Sequence, residues 1–192
     1  GLSDLSVVIL TYNSQNTISH TLDSLLRQKN KNFDIVIVDD NSSDDTLKII
    51  NEYKIKHNLN INIFINGTNN LSIGRNIGLK ESKTNFIAFL DSDDLADDNW
   101  TNTVINTFKN DSEIGIISGP LIFSSSTLVG EAISTNDSAI REIFGRGSIL
   151  FCTANSAFNK SSLKGNYFFD EDFIYSEDLE LVSRVSKYNK WV

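Results

Sequence analysis

Three carboxylates follow directly after a strongly apolar stretch of the chain. Residues 86–90 are all apolar, which predicts a strand buried on both faces. Asp91, Asp93 and Asp94 come within the next four positions. If the chain stays extended there, Asp91 and Asp93 point the same way, because strand side chains alternate with period two. Neighbouring carboxylates repel unless a cation lies between them, and hard oxygen ligands suit Mg²⁺ or Mn²⁺.

An isolated acidic cluster of this kind has a simpler explanation, since it can end a strand and cap the next helix. Two further polar runs favour a ligand-binding site over this simpler explanation. Thr11, Tyr12 and Asn13 follow the apolar run 5–10, and Asp39 and Asp40 follow the run 33–38. Right-handed crossovers would bring the carboxyl ends of these strands to one edge of a sheet. Ligands bind at that edge in open α/β sheets.

The hydrophobic pattern predicts strands that alternate with helices. Strands are expected over 5–10, 33–38, 61–65, 86–90 and 114–117, with helices over 15–28, 44–56, 72–82 and 98–109. This alternation predicts an α/β fold, a doubly wound, mostly parallel sheet with helices on both faces.

The second half is less regular. It predicts a surface loop over 124–135, a helix over 136–144, a strand over 148–158, a short helical turn over 160–163 and a helix over 177–187. We expect one domain over 1–192.

Composition narrows the class of protein. The chain has 192 residues with a net charge of −8, and its Lys and Arg residues form no cluster, which argues against a nucleic-acid partner. One cysteine, Cys152, excludes an intramolecular disulfide and favours a reducing cytoplasm. No apolar run is long enough to span a bilayer. The chain stops at Trp191-Val192 without a cap or turn, so we expect a C-terminally truncated piece of a longer protein.

The polar runs, taken together and in order, resemble the motifs of family 2 inverting glycosyltransferases of the GT-A fold. The resemblance covers about residues 5–188, and it implies a nucleotide-binding half at about 1–95 and an acceptor and catalytic half at about 96–192. Its motifs are Val7-Val8-Ile9-Leu10-Thr11-Tyr12-Asn13, Ile37-Val38-Asp39-Asp40-Asn41-Ser42-Ser43-Asp44, Gly74-Arg75-Asn76-Ile77-Gly78, Phe89-Leu90-Asp91-Ser92-Asp93-Asp94, and Phe169-Asp170-Glu171 with Glu177-Asp178.

The resemblance implies a nucleotide-sugar donor, most often UDP-linked. By that resemblance Thr11 and Tyr12 form the uracil slot, Asp39 accepts a hydrogen bond from the base N–H, and Arg75 reaches the base or the diphosphate. Asp40 is expected to be structural, bonded to the following loop. The implied nucleotide-binding set is Thr11, Tyr12, Asn13, Asp39, Arg75, Asp91 and Ser92.

The same resemblance implies a metal and a base. Asp93 binds Mn²⁺ or Mg²⁺ with Asp91 beside it leaning toward the ribose, and Asp178 takes the proton from an acceptor hydroxyl. Glu177 orients Asp178 or binds the acceptor. The implied activity is sugar transfer from a UDP-sugar to a carbohydrate acceptor, by a hexosyl- or N-acetylhexosaminyltransferase. Its expected setting is cell-surface polysaccharide or glycan synthesis, in the cytoplasm or at the inner face of the membrane.

Three other functions fit parts of the pattern. One is a non-catalytic nucleotide-sugar-binding domain of a larger protein, although the presence of both Asp93 and Asp178 argues against it. A receiver-type signalling domain also gathers acids at strand ends around Mg²⁺, but it needs a Lys after its last strand. No Lys follows the strand that closes at Gly119-Pro120. A nucleotidyltransferase would need a glycine-rich basic loop after the first strand, where this chain has Thr11-Tyr12-Asn13.

Overall fold

A computed structural model describes residues 3–119, 152–173 and 175–192. Their elements alternate along the first half of the chain, as the hydrophobic pattern predicts. The strands are β1 (Leu5–Thr11), β2 (Phe33–Asp39), β3 (Ile61–Ile65), β4 (Phe86–Leu90), β5 (Ile114–Ser118), β6 (Asn155–Asn159) and β7 (Lys190–Trp191). The helices are α1 (Ile18–Leu26), α2 (Thr46–Lys56), α3 (Leu71–Glu81), α4 (Trp100–Asn110) and α5 (Glu177–Val185).

Within the described residues the strands form one sheet in the order β3-β2-β1-β4-β6-β5-β7. β1 pairs in parallel with β2 and with β4, so the strand order reverses at β1. β6 is inserted between β4 and β5 and is antiparallel to both. The sheet is therefore mostly parallel, and the predicted α/β class is confirmed. The antiparallel direction of β6 is not visible in the hydrophobic pattern, because burial does not encode strand direction.

Apolar side chains cover both faces of the sheet. On one face, Val7 and Ile9 of β1 belong to a core with Leu22 of α1, Ile50 of α2 and Phe108 of α4. On the other face, Val8, which is adjacent in sequence, belongs to a core with Leu79 of α3 and Leu181 of α5. This arrangement follows from the period-two alternation of strand side chains and explains why the strands have continuous apolar sequences.

α3 lies unusually close to the sheet. A Cβ atom at Gly78 would come within 2.4 Å of Val8 Cγ1, and one at Gly74 within 3.0 Å of Leu10 Cδ2. Asn70 caps the helix by accepting a hydrogen bond from the Ile73 N–H at 3.1 Å. These contacts fix α3 beside the carboxyl end of β1.

Several predictions for the second half differ from the structure. Within the strand predicted over 148–158, residues 153–154 form a turn and β6 begins at Asn155, while residues 148–151 lie outside the described part. Residues 160–162 form a turn rather than helix. The short strand β7 was not predicted. The loop expected over 124–135 and the helix expected over 136–144 lie outside the described residues.

Candidate active site

The carboxyl ends of β1, β2 and β4 open into a cavity of about 480 Å³, a volume typical of small-molecule sites. Polar side chains from these ends meet the beginning of α3 and the loop before it. The lining residues are Leu10, Thr11, Tyr12, Ser14, Val38, Asp40, Asn66, Asn69, Asn70, Leu71, Gly74, Arg75, Asp91, Ser92, Asp93 and Tyr175. Six of the residues predicted for the site therefore line one cavity: Thr11, Tyr12, Arg75, Asp91, Ser92 and Asp93.

Asp39 lies beneath the cavity wall and is fully buried. Its carboxylate accepts hydrogen bonds from the Thr11 hydroxyl at 2.7 Å, the Ser42 hydroxyl at 2.6 Å and the Ser42 N–H at 2.8 Å. A buried carboxylate with three donors is satisfied by the protein itself. Asp39 therefore ties β1 to the loop after β2, which is the role that the sequence analysis gave to Asp40.

Asp40 is half-buried and lines the cavity. Its Oδ1 atom accepts a hydrogen bond from the Asn69 N–H at 3.0 Å, so the loop after β3 holds the carboxylate in place. The structure thus exchanges the positions expected for the two aspartates. The reason is that adjacent strand-end residues point in opposite directions, and the sequence does not say which direction faces the ligand.

Asn13 does not line the cavity, although it was predicted to bind nucleotide. Its backbone is left-handed, with φ of 48°, and its Oδ1 accepts a hydrogen bond from the Ser43 N–H at 2.9 Å. The Asn13 N–H donates to the Ser42 hydroxyl at 2.9 Å. These bonds brace the loop after β2 against the loop after β1.

The acidic segment Asp91–Asp94 forms a turn and not an extended strand end. The Asp94 N–H donates to the Asp91 carbonyl at 3.1 Å, so the extended strand end expected at Asp91 and Asp93 does not form. The Ser92 hydroxyl lies 2.9 Å from the Ser14 hydroxyl, and the Ser92 carbonyl accepts a bond from Thr21 of α1 at 3.0 Å. These two contacts hold the turn against the loop after β1 and against α1.

Negative charge accumulates at this turn. Burial raises the pKa of Asp94 to about 6, and the carboxylates of Asp91 and Asp93 add to the rise. Burial also raises the pKa of Asp91, where the Arg75 guanidinium opposes the effect and Asp93 and Glu177 reinforce it. Like charges held this close favour either protonation or a bound cation.

Among the described residues, no three His, Cys, Asp or Glu side chains are placed to hold a metal ion by themselves. The donor set nevertheless fits Mg²⁺ or Mn²⁺, because such ions are often bound by one or two carboxylates while phosphate oxygens and water complete the coordination. Asp93, which is exposed and lines the cavity beside Asp91, would hold such an ion.

Arg75 and Glu177 form a buried ion pair across the cavity wall. Arg75 Nη1 donates to Glu177 Oε1, and both side chains are about nine-tenths buried. The guanidinium also lies over the ring of Phe169, 5.3 Å from its centroid. Arg75 remains a lining residue, and the Glu177 contact uses one of its nitrogens, so the group can present further N–H donors to an anion. Glu177 is thus engaged by Arg75, which the sequence did not predict.

Asp178 lies one residue further along, in the first turn of α5, and is half-buried. It is not among the lining residues, but its charge reaches the same region. Burial raises the pKa of the Cys152 thiol, and Asp91 and Asp178 both raise it further. The charges of Asp91 and Asp178 thus both act on Cys152, whose thiol stays protonated, as an inert cysteine would.

The cavity also has walls that the sequence analysis did not include. Ser14, Asn66, Asn69 and Asn70 follow β1 and β3, and the exposed ring of Tyr175 comes from the segment before α5. The three asparagines could have been found, because β3 is parallel to β2 and its carboxyl end lies at the same edge. Nothing in the local sequence of Tyr175 indicated its place.

A family model described as glycosyl transferase family 2 matches residues 6–166 of the chain. That match spans well over half of the sequence. The chain belongs to glycosyl transferase family 2. Its fold is the GT-A fold expected from the motifs, and its class is that of a glycosyltransferase.

Similar proteins support the same assignment. The chain is 28% identical over 182 residues to a poly-β-1,6-N-acetyl-D-glucosamine synthase of Staphylococcus epidermidis, covering 91% of the chain and 44% of that protein. It therefore spans less than half the length of this relative. Within the described residues no helix is both long and apolar enough to cross a membrane.

Solved structures give a matching fold. TarS 1-349 of S. aureus, in complex with UDP-GlcNAc, superposes with a TM-score of 0.67 at 25% identity, covering 94% of this chain and 52% of that one. The mannosyltransferase PcManGT of Pyrobaculum calidifontis, in complex with GDP-Man and Mn²⁺, superposes with a TM-score of 0.75 at 18% identity, covering 98% of this chain and 54% of that one.

Proposed function

We propose that this chain binds a UDP-sugar with a divalent metal and transfers the sugar, with inversion, to a carbohydrate acceptor. The observation that carries the proposal is one cavity whose side chains suit each part of a nucleoside diphosphate. The exposed ring of Tyr12 suits the base, and the carboxylate of Asp40 suits an N–H of the base. The Arg75 guanidinium suits the phosphates, and the carboxylates of Asp91 and Asp93 suit a metal ion bound to the phosphates.

Asp40 is the better candidate for reading the base than Asp39. Its carboxylate lines the cavity and is held at one oxygen by the Asn69 N–H, which leaves the other oxygen for a ligand. Uracil offers an N–H beside its carbonyl groups, which a carboxylate accepts, whereas cytosine offers no N–H at that ring position. The face of Tyr12, which is 59% exposed, is available for stacking on the base.

The diphosphate and the leaving group would lie between Arg75 and the acidic turn. A guanidinium binds phosphate oxygens in bidentate fashion. A divalent ion held by Asp93 and Asp91 would supply charge neutralisation to the diphosphate as it departs. The diphosphate would thus lie between the guanidinium of Arg75 on α3 and the acidic turn after β4.

Asp178 is proposed as the general base. Its carboxylate would take the proton of an acceptor hydroxyl while that oxygen forms a bond to the anomeric carbon and the bond from this carbon to the diphosphate oxygen breaks. UDP leaves, and the configuration at the anomeric carbon inverts. Glu177, bound to Arg75, would keep the beginning of α5 in place during this step.

The donor sugar and the setting follow from relatives and are also proposals. TarS binds UDP-GlcNAc and the staphylococcal relative is named as a poly-N-acetylglucosamine synthase, so UDP-GlcNAc is the first donor to test. A hexosyl donor is the alternative. The same relative supports a setting in cell-surface polysaccharide synthesis, in the cytoplasm or at the inner face of the membrane.

A donor panel tests the proposal. UDP-GlcNAc, UDP-glucose, UDP-galactose and GDP-mannose are each incubated with the chain, Mn²⁺ and carbohydrate acceptors that include short β-1,6-linked N-acetylglucosamine oligomers, and the released nucleoside diphosphate is measured. We expect turnover with one UDP-sugar and loss of it in EDTA. Release from GDP-mannose alone would contradict the assignment of the base. UDP binding without turnover of any UDP-sugar would favour a non-catalytic nucleotide-sugar-binding domain.

Asp178→Asn tests the base in the same assay. We expect turnover to fall by about 10²–10⁴-fold, the usual contribution of general base catalysis, while UDP affinity stays unchanged. Glu52→Gln, which neutralises an exposed carboxylate on α2, is the control and should retain full turnover. If Asp178→Asn retained full turnover, Asp178 would not be the base.

A further inference from the structure

Asn76 of α3 is a buried amide that lies next to the site and to which the motifs gave no role. It is 3% exposed and contacts a segment more than 90 residues away in sequence. We call residues 167–173 the strap, because they run from the region after β6 across α3 toward α5. The strap precedes Glu177 and Asp178, so its position bears on theirs.

The side-chain amide of Asn76 makes three hydrogen bonds to the strap. Asn76 Oδ1 accepts a hydrogen bond from the Phe169 N–H at 2.8 Å, and Asn76 Nδ2 donates to the Phe169 carbonyl at 2.9 Å. Nδ2 also donates to Glu171 Oε1 at 2.9 Å. The side-chain amide therefore pairs with both backbone groups of one residue, as a neighbouring strand would.

Asn70, which caps α3, and Ser72 in the first turn of α3 also hold the strap. Asn70 Nδ2 donates to the Glu171 carbonyl and the Ser72 hydroxyl donates to the Phe173 carbonyl, each at 3.0 Å. Ser72, Arg75 and Asn76 are spaced so that they share one face of the helix. On this face, Ser72 and Asn76 bond to the strap and Arg75 makes the ion pair with Glu177.

Phe169 connects these contacts to both halves of the site. Its ring packs edge-on against Phe89, with centroids 6.0 Å apart, and Phe89 lies on β4 two residues before Asp91. The Arg75 guanidinium lies over the same ring. Fixing the Phe169 backbone therefore supports Arg75 from below and holds the strap at a set distance from the acidic turn.

We propose that Asn76 is a positioning residue that couples the donor side of the site to the base on α5. α3 is fixed on the sheet by the close approach of Gly74 and Gly78, and Asn76 transfers that fixed position to the strap and to the start of α5. A shift of about 1 Å at a reacting group costs up to about 10²-fold in rate, so a loose strap would lower turnover more than donor binding. The expected effect on turnover rests on the proposed function, whereas the expected effect of Asn76 on the position of the strap does not.

The experiment compares Asn76→Ala and Asn76→Asp with Asn159→Ala in the whole chain. The Asp variant keeps the shape and loses both Nδ2 donors. Asn159 is a matched control, because it is also 3% exposed and its side chain joins the end of β6 to Ile114 of β5 and to Ser162, at the edge of the sheet opposite the site. Hydrogen exchange is measured by mass spectrometry, and kcat and KM are measured with the UDP-sugar that is turned over in the donor panel.

We expect amide exchange in residues 167–173 and 177–185 to become about tenfold faster in both Asn76 variants, with the sheet unchanged. We expect kcat to fall by about 10–100-fold while KM changes by less than about threefold. Asn159→Ala should lose stability without either effect. Unchanged exchange of the strap, or an equal loss of kcat in Asn159→Ala at matched stability, would overturn the proposal. A chain that turns over no UDP-sugar would instead overturn the proposed function and leave the exchange result valid.

Discussion

At the scale of single residues, Asp39 and Asp40 have different roles: Asp39 supports the fold, and Asp40 lies where a ligand would bind. The first is buried with three hydrogen-bond donors, and the second lines the cavity. Two identical side chains that are adjacent in sequence thus have different surroundings, and the difference is one of direction rather than chemistry. They offer a matched pair for mutation.

Asp40→Ala is expected to weaken UDP binding by about 10–100-fold, because a hydrogen bond to a charged group contributes about 1.5–3 kcal/mol. Its unfolding free energy should change little. Asp39→Ala should instead lower the unfolding free energy by about 1–3 kcal/mol, since it leaves the Ser42 N–H and the Thr11 hydroxyl without their partner. Calorimetry and urea unfolding measure the two effects.

The reverse outcome would contradict this assignment. If Asp39→Ala folded with unchanged stability and lost UDP binding, while Asp40→Ala bound UDP normally, Asp39 would be the residue that reads the base. Wild-type affinity in both variants would place the base elsewhere in the cavity.

At the scale of elements, α3 is the helix on which the site depends. It presents Arg75 to the cavity, holds the strap through Asn76, and rests on β1 through two glycines. Its position is set by the absence of side chains at Gly74 and Gly78, since a helix with larger residues there could not lie as close to the sheet.

Gly78→Ala is therefore expected to destabilise the fold by about 1–3 kcal/mol, the usual cost of overpacking a core. The added Cβ would lie 2.4 Å from Val8 Cγ1, which must move. Urea unfolding of Gly78→Ala, Val8→Ala and the double variant forms a cycle. The double variant should be less destabilised than the sum of the two, with a coupling of about 0.5–3 kcal/mol.

Additive effects in that cycle would show that the two residues do not press on each other and that the close approach is not what fixes α3. Equal stability of Gly78→Ala and the wild type would lead to the same conclusion.

The strands of the first half could be predicted from the sequence to within one residue, whereas α1 is three residues shorter at its beginning and two at its end than predicted. β3 begins and ends where predicted, and β1 and β2 each extend one residue further, through Thr11 and Asp39. Long apolar runs separated by polar turns make these boundaries clear. The bounds of β6 were not predicted as well, because it carries polar residues at both ends, and β7 was missed because it has only two residues.

The candidate site could be predicted in part for a related reason. Residues directly after β1, β2 and β4 must lie at one edge of the sheet, so their gathering follows from topology. Contacts between distant segments follow from tertiary packing alone. The pair of Arg75 with Glu177 and the bonds of Asn76 to Phe169 join residues about 90 to 100 positions apart, and no local pattern specifies them.

At the scale of the whole molecule, the described residues form a sheet whose carboxyl edge carries the donor side of the site, while the strap and α5 bring the proposed base to it. The chain spans 44% of the length of its staphylococcal relative. We propose that a nucleoside diphosphate and a divalent metal bind together in the cavity at this edge.

The most direct test is calorimetric titration of UDP into the chain with Mn²⁺, in EDTA, and into Asp93→Ala, with Glu52→Gln as the control. We predict saturable binding with Mn²⁺ in the wild type and in the control. Affinity should fall by at least about tenfold in EDTA and in Asp93→Ala, because the phosphate oxygens lose their cation. The absence of UDP binding, or binding that is unchanged without the metal and without Asp93, would contradict the claim.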